Sequence, residues 1–156
     1  MSECIGLDLE ADLGDRRSAI IIRQWQPCIE DARMSQAVMT HAAPRVPHST
    51  PEKALIRLPK YISGIESGTL LALQDDRAVG FVMLSTLSNP EVARLMGGVR
   101  PDVHGQGIGR RLLERAVSVA ETHGCKRIRG TWFLSDTRAD AFMHNAGFTI
   151  QDRVLW

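Results

Sequence analysis

Val99-Arg100-Pro101-Asp102-Val103-His104-Gly105-Gln106-Gly107-Ile108-Gly109-Arg110-Arg111-Leu112-Leu113 decides how this chain is read. The run Glu91 to Val99 before it is strand-like, and three alternating glycines then open an amphipathic helical stretch. A glycine-rich turn at a helix start leaves backbone N–H groups unpaired and lets a ligand come close to the main chain. The helix dipole adds positive potential at the same place. Such a turn suits a phosphate or pyrophosphate, so the first functional expectation is a phosphate-bearing cofactor. Two common glycine patterns do not fit. The dinucleotide pattern G-x-G-x-x-G fails because the third position after Gly105 and Gly107 is Arg110. The P-loop needs Gly-Lys-Ser/Thr, and Gly109 is followed by Arg110.

What remains, H-G-Q-G-I-G-R after a V-R-P turn, resembles the acetyl-CoA motif of the GNAT acyltransferase superfamily, Q/R-x-x-G-x-G/A. Gly107 and Gly109 take the glycine places, and His104 stands where the family usually has Gln or Arg. A later segment, Asp136-Thr137-Arg138-Ala139-Asp140-Ala141-Phe142-Met143-His144-Asn145-Ala146-Gly147-Phe148, resembles the family's N-x-x-A-x-x-F-Y-x-x-x-G-F. Ala139, Phe142, Gly147 and Phe148 match, while Asp136 replaces Asn and Met143 replaces Tyr.

Around the motifs, the chain reads as alternating short elements. Residues 1–18 are acidic with little periodicity and are expected to be a loose extension, with one domain over 19–156. Ala19 to Trp25 reads as a strand and Pro27 to about His41 as a helix. Thr50-Pro51 is a helix start, and Leu55, Leu58, Ile62 and Ile65 form its apolar stripe, with Pro59 inside. Thr69–Gln74 and Ala78–Thr86 form a hairpin around Asp75-Asp76-Arg77. Gly97-Gly98 invites a bulge late in the next strand. A helix from Gly107 to His123, a strand Lys126 to Phe133, a helix ending at Gly147 and a strand Phe148 to Trp156 complete the order. This implies a single α/β domain, GNAT-like, with a mixed, mostly antiparallel sheet, a central splay and helices on both faces.

Composition bounds the function. With 156 residues the chain holds one core, and 19 Lys+Arg against 18 Asp+Glu give a net charge of +1. That balance offers no electrostatic case for nucleic acid or membrane as partner. No apolar run is long enough to span a bilayer, and the N-terminus is unlike a signal peptide, so a cytoplasmic location is expected. Cys4, Cys28 and Cys125 are widely spaced and suggest neither a disulfide framework nor a metal site.

The resemblance implies an N-acetyltransferase that moves the acetyl group of acetyl-CoA directly to a primary amine of a small molecule or protein, with a homodimer as one possible assembly. A catalytically weak acyl-CoA-binding module of the same fold is the alternative. It implies that Gly98, Val99, Arg100 and Pro101 line the pantetheine arm, with the Val99 N–H as oxyanion donor. His104, Gly105, Gln106, Gly107, Ile108, Gly109 and Arg110 would receive the pyrophosphate, and Asp136 and Met143 complete the cofactor set. Met143 falls at the usual acid position and cannot donate a proton. Glu91 is the candidate base, two residues before the commonest family position at Ala93; it reads equally as an exposed residue at a strand start.

Overall fold

The computed structural model describes residues 8–11, 19–44, 47–86, 88–131 and 137–150. Six strands lie in one sheet in chain order: β1 (Asp8–Ala11), β2 (Ile20–Gln24), β3 (Leu70–Gln74), β4 (Arg77–Ser85), β5 (Val92–Val99) and β6 (Arg127–Gly130). Every neighbouring pair is antiparallel except β5 and β6. Parallel neighbours need a crossover, and helix α3 (Ile108–Thr122) supplies it. Helices α1 (Ile29–Ala42) and α2 (Pro51–Tyr61) intervene between β2 and β3, and α4 (Thr137–Asn145) follows β6.

The central strand β4 buries both faces, which is why it is an almost unbroken apolar run. Val82 and Leu84 join Ile108, Leu112 and Ala116 of α3 in one core. Phe81 and Met83 join Trp25, Val38 and Met39 in a second core beneath α1 and α2. Helix α1 is pinned to β2 by a buried ion pair. Arg23 donates from both terminal nitrogens to Asp31 at 2.7 Å, and Asp31 also accepts from the Gln26 N–H at 2.7 Å. Thr50 caps α2 by accepting from the Lys53 N–H at 3.3 Å.

Several expectations are corrected. Asp8–Ala11, within the stretch read as loose, forms β1 on the edge of β2. A free strand edge accepts backbone partners whatever their side-chain pattern. No bulge occurs between β4 and β5: the register runs from Gly80↔Val99 to Ser85↔Arg94 without a shift. The bulge lies between β3 and β4, where Ala72↔Gly80 and Leu73↔Ala78 leave Val79 over. Cys28, the N-cap residue of α1, is disulfide-bonded, whereas Cys125 is free. Of the expected last strand, Phe148 to Ile150 are in no strand, and 151–156 lie outside the described residues.

Candidate active site

The glycine turn begins where β5 ends. Pro101–Val103 form a single 3-10 turn, and buried Val103 and Ile108 tie the loop to the α3 core. Gly105 (φ 84°) and Gly107 (φ 78°) lie in the left-handed region, and Gly107 is the N-cap of α3. A Cβ at either would meet nothing within 4 Å, so backbone conformation alone demands glycine there. Gly107 supplies no side-chain cap. The first N–H groups of α3, at Ile108, Gly109 and Arg110, therefore point out of the helix without an intrahelical acceptor.

The splay has a definite origin. β5 pairs with β6 only from Val92↔Arg127 to Leu95↔Gly130, while its pairing with β4 continues to Val99. Among the described residues, β5 therefore has an open edge beyond Leu95. The Arg100 N–H donates to the Val79 carbonyl at 2.8 Å, and Arg100 stands opposite Val79. Antiparallel alternation then commits the backbone groups of Gly98 and Met96 to β4 and turns those of Gly97 and Val99 to the open edge. The Glu91 carbonyl confirms the phase, accepting from the Lys126 and Arg127 N–H groups of the β6 side. The α-carbon of Gly98, a residue expected to line the pantetheine arm, faces α1: a Cβ there would lie 2.5 Å from the Ala42 Cβ. Gly97, which the sequence marked only as a place for a bulge, turns its backbone groups to the open edge. A Cβ on it would press on the Phe81 carbonyl oxygen and lie 2.9 Å from the Val82 Cα, backbone atoms that cannot yield.

His104 closes the turn onto the rest of the site. Its Nδ1 lies 2.7 Å from the Arg138 Nη1, and its Nε2 lies 2.9 Å from the Val99 carbonyl. Arginine only donates, so Nδ1 accepts and Nε2–H donates, which fixes the neutral Nε2–H tautomer. Through His104, 34 positions before Arg138, the link joins α4 to the end of β5. Phe142 of α4 lies 3.3 Å from where a Cβ on Gly109 would sit. The Met143 Cε lies 2.9 Å from the corresponding position on Gly130, the last residue of β6 paired to β5. Met143 thus stands at the point where the sheet opens.

The charged residues divide. Arg110 pairs with Glu114 at 3.1 Å, both well exposed. Asp102 accepts from Arg77 at 2.9 Å, with Arg100 Nε at 3.5 Å. The Arg77 hydrogen bond, reinforced by the charges of Arg77 and Arg100, holds the Asp102 carboxyl below its usual range. Gln106 accepts from Gln74 at 3.4 Å. Glu91 precedes β5, is exposed, and pairs with Lys126 at 3.1 Å. At about 3.3 Å per residue it stands about 26 Å along the chain from Val99. Asp136 lies outside the described residues. Among the described residues no group of His, Cys, Asp or Glu could hold a metal ion, and no helix is long and apolar enough to cross a membrane.

The fold is similar to that of Ard1 from Thermoplasma volcanium, at 17% identity and a TM-score of 0.72 over 85% of this chain and 84% of that one. It is similar to aminoglycoside N-acetyltransferase AAC(6')-Iy in complex with CoA, at 19% identity and a TM-score of 0.69 over 92% and 97%. It is also similar to the ribosomal-protein-S18-alanine N-acetyltransferase from Escherichia coli, at 21% identity and a TM-score of 0.67 over 85% and 79%. Identities this low speak for the fold alone. The family model of the GNAT acetyltransferases, however, matches residues 35–148, from within α1 through the glycine turn to the end of the α4 segment, and the chain belongs to that family.

Proposed function

We propose that this protein transfers the acetyl group of acetyl-CoA to a primary amine of a small molecule or protein, directly and within a ternary complex. The observation that carries the reading is the convergence of two unsatisfied backbone surfaces on one opening: the N-terminus of α3 behind Gly107, and the β5 edge at Gly97 and Val99. The first suits a pyrophosphate. The second suits an amide-bearing arm laid alongside as an added strand. His104 already occupies the Val99 carbonyl, so the N–H of Val99 and both groups of Gly97 are left for the cofactor.

In the transfer the amine nitrogen forms a bond to the thioester carbonyl carbon, and the carbon–sulfur bond then breaks. The amine loses one proton and the departing thiolate gains one. The N–H groups of Gly97 and Val99 are aimed at the oxyanion that develops between these events. Met143 donates no proton, so the thiolate takes its proton from water. We assign the base role to water rather than to Glu91, whose carboxylate is committed to Lys126.

The test combines binding and turnover. Acetyl-CoA is expected to raise the melting temperature of the wild type through mass action. Gly107→Glu is expected to abolish that shift, because its carboxylate would repel the pyrophosphate. Equal shifts in both proteins would refute the cofactor reading. Free thiol release that depends on an added amine tests the transfer. Binding without release across an amine panel would establish the acyl-CoA-binding module instead, a reading that Met143 at the acid position specifically favours.

A further inference from the structure

We infer that the amine acceptor is itself anionic, carrying a carboxylate near its nitrogen, and that Arg94, Arg127 and Arg129 on the open face of β5 and β6 select it. The inference rests on the acetyltransferase reading above and adds the chemistry of the second substrate.

The register places these cations together. Arg94 stands beside Arg129, and Val92 beside Arg127, so all three arginines share one face of the parallel pair. The face can be identified. Ala93, Leu95 and Ile128, of the opposite parity, pack against the α3 core. Met96 stands opposite Met83, which belongs to the core beneath α1 and α2. The arginines therefore lie on the α1/α2 side, away from the glycine turn and the phosphates it would hold. α1 and α2 bury β2 to β4 and the Gly98 end of β5 on this side, whereas Arg94, Arg127 and Arg129 are exposed, and Met96 is 47% exposed.

Like charges directly across neighbouring strands destabilise a sheet. Among the described residues no ion pair neutralises these. Glu91 is taken by Lys126 at 3.1 Å, and Asp31 of α1 by Arg23 at 2.7 Å. α2 adds Lys53, Arg57 and Lys60 against Glu52 alone. The cluster is thus a cost to the fold that an anionic ligand would remove. Its position suits the acceptor. A cofactor entering from the α3 side leaves the opposite face for the attacking amine. Arg94 is three residues from Gly97, about 10 Å along the strand. An amine at Gly97 would hold a carboxylate a few bonds away within reach of the guanidinium, with Met96 beneath the intervening methylenes.

The experiment measures acetyl-CoA-dependent thiol release with three tetrapeptides, Ala-Glu-Glu-Glu, Ala-Gln-Gln-Gln and Ala-Lys-Lys-Lys, and with free L-glutamate. The wild type is expected to favour the acidic peptide or glutamate over the neutral peptide by at least about tenfold in kcat/KM. The glutamate arm separates a free amino acid from a chain end as the source. Arg94→Gln/Arg129→Gln should erase the preference, and Arg94→Glu/Arg129→Glu should move it to the lysine peptide, with acetyl-CoA affinity unchanged in both. Fluorescence anisotropy of the labelled peptides in the presence of CoA reads the same selectivity without turnover. If no acceptor reacts but the arginine-dependent preference persists in binding, the transfer reading fails and the anionic site stands. A preference for neutral or cationic peptide, or one that survives loss of both arginines, overturns the inference.

Discussion

Gly98→Ala offers a direct test of how the site is built. The added Cβ would lie 2.5 Å from the Ala42 Cβ, 3.7 Å from the Met39 Sδ and 3.9 Å from the Ala42 Cα. Carbon atoms in contact sit about 3.5–4.0 Å apart. The end of α1 and β5 must therefore separate by about 1 Å, and Ala42 cannot yield by rotating a side chain. Overpacking of this kind costs about 1–3 kcal/mol. At roughly 2–4 °C per kcal/mol for a chain of this size, the melting temperature should fall by at least about 2 °C.

Ala42→Gly removes the obstructing atom and leaves only the ordinary approaches of 3.7 Å to the Met39 Sδ and 3.9 Å to the Ala42 Cα. Ala42 is the last residue of α1, so glycine there costs less than the ~1 kcal/mol of a helix interior. Urea unfolding of both single variants and the double variant gives the coupling. Gly98→Ala/Ala42→Gly is expected to recover about 1–3 kcal/mol relative to additivity. Acetyl-CoA affinity supplies the second readout: it should change little in Gly98→Ala, because the backbone groups of Gly98 are committed to β4. Additive losses would refute the packing argument. A collapse of cofactor affinity without loss of stability would refute the backbone alternation.

Three other perturbations follow from the same geometry. Asp31→Asn breaks the buried pair with Arg23 and should cost about 3–5 kcal/mol in urea unfolding; a loss under 1 kcal/mol would show the site to be wetter than its burial suggests. The depressed Asp102 carboxyl contributes stability above the ordinary carboxylate pKa, and that contribution is lost as pH falls through its lower folded value. Its clasp on Arg77 should therefore hold from neutrality to about pH 4, and Asp102→Asn should flatten only the acid end of the stability profile. Met143→Tyr should raise turnover by up to about 10²-fold with little change in acetyl-CoA affinity; unchanged turnover would show that thiolate protonation is not limiting.

The parts of this fold legible in the sequence are those set by local chemistry. The Thr50-Pro51 cap, the positive φ at Asp75 (51°) and Asp76 (60°) in the hairpin, and the left-handed glycines before α3 all follow from neighbouring residues. The rest depends on register and long-range contact. Adjacent glycines 97 and 98 look alike in sequence, yet strand phase gives one to the open edge and the other to α1. The bulge fell at Val79 rather than beside those glycines because pairing with β3, not local flexibility, set its place. The neutralisation of Glu91 depends on Lys126, which only the parallel β5–β6 pairing brings alongside.

Two of the three departures from the family motifs, His104 and Met143, are physically linked. A Gln or Arg at position 104 would serve the glycine turn alone, whereas His104 also accepts from Arg138 of α4. The same helix sets Phe142 against Gly109 and Met143 over Gly130. α4 is thus held at three points, one on the glycine turn, one on α3 and one on β6, and its placement at the mouth of the splay depends on the imidazole being neutral and bonded at both nitrogens. Met143 contributes shape at that mouth and no proton. On the proposed reading the site relies on backbone dipoles at Gly97, Val99 and the α3 N-terminus, with His104 holding the wall in place. An enzyme built this way accelerates transfer through positioning and oxyanion stabilisation, and its rate should depend on the acceptor's own reactivity more than on any protein acid or base.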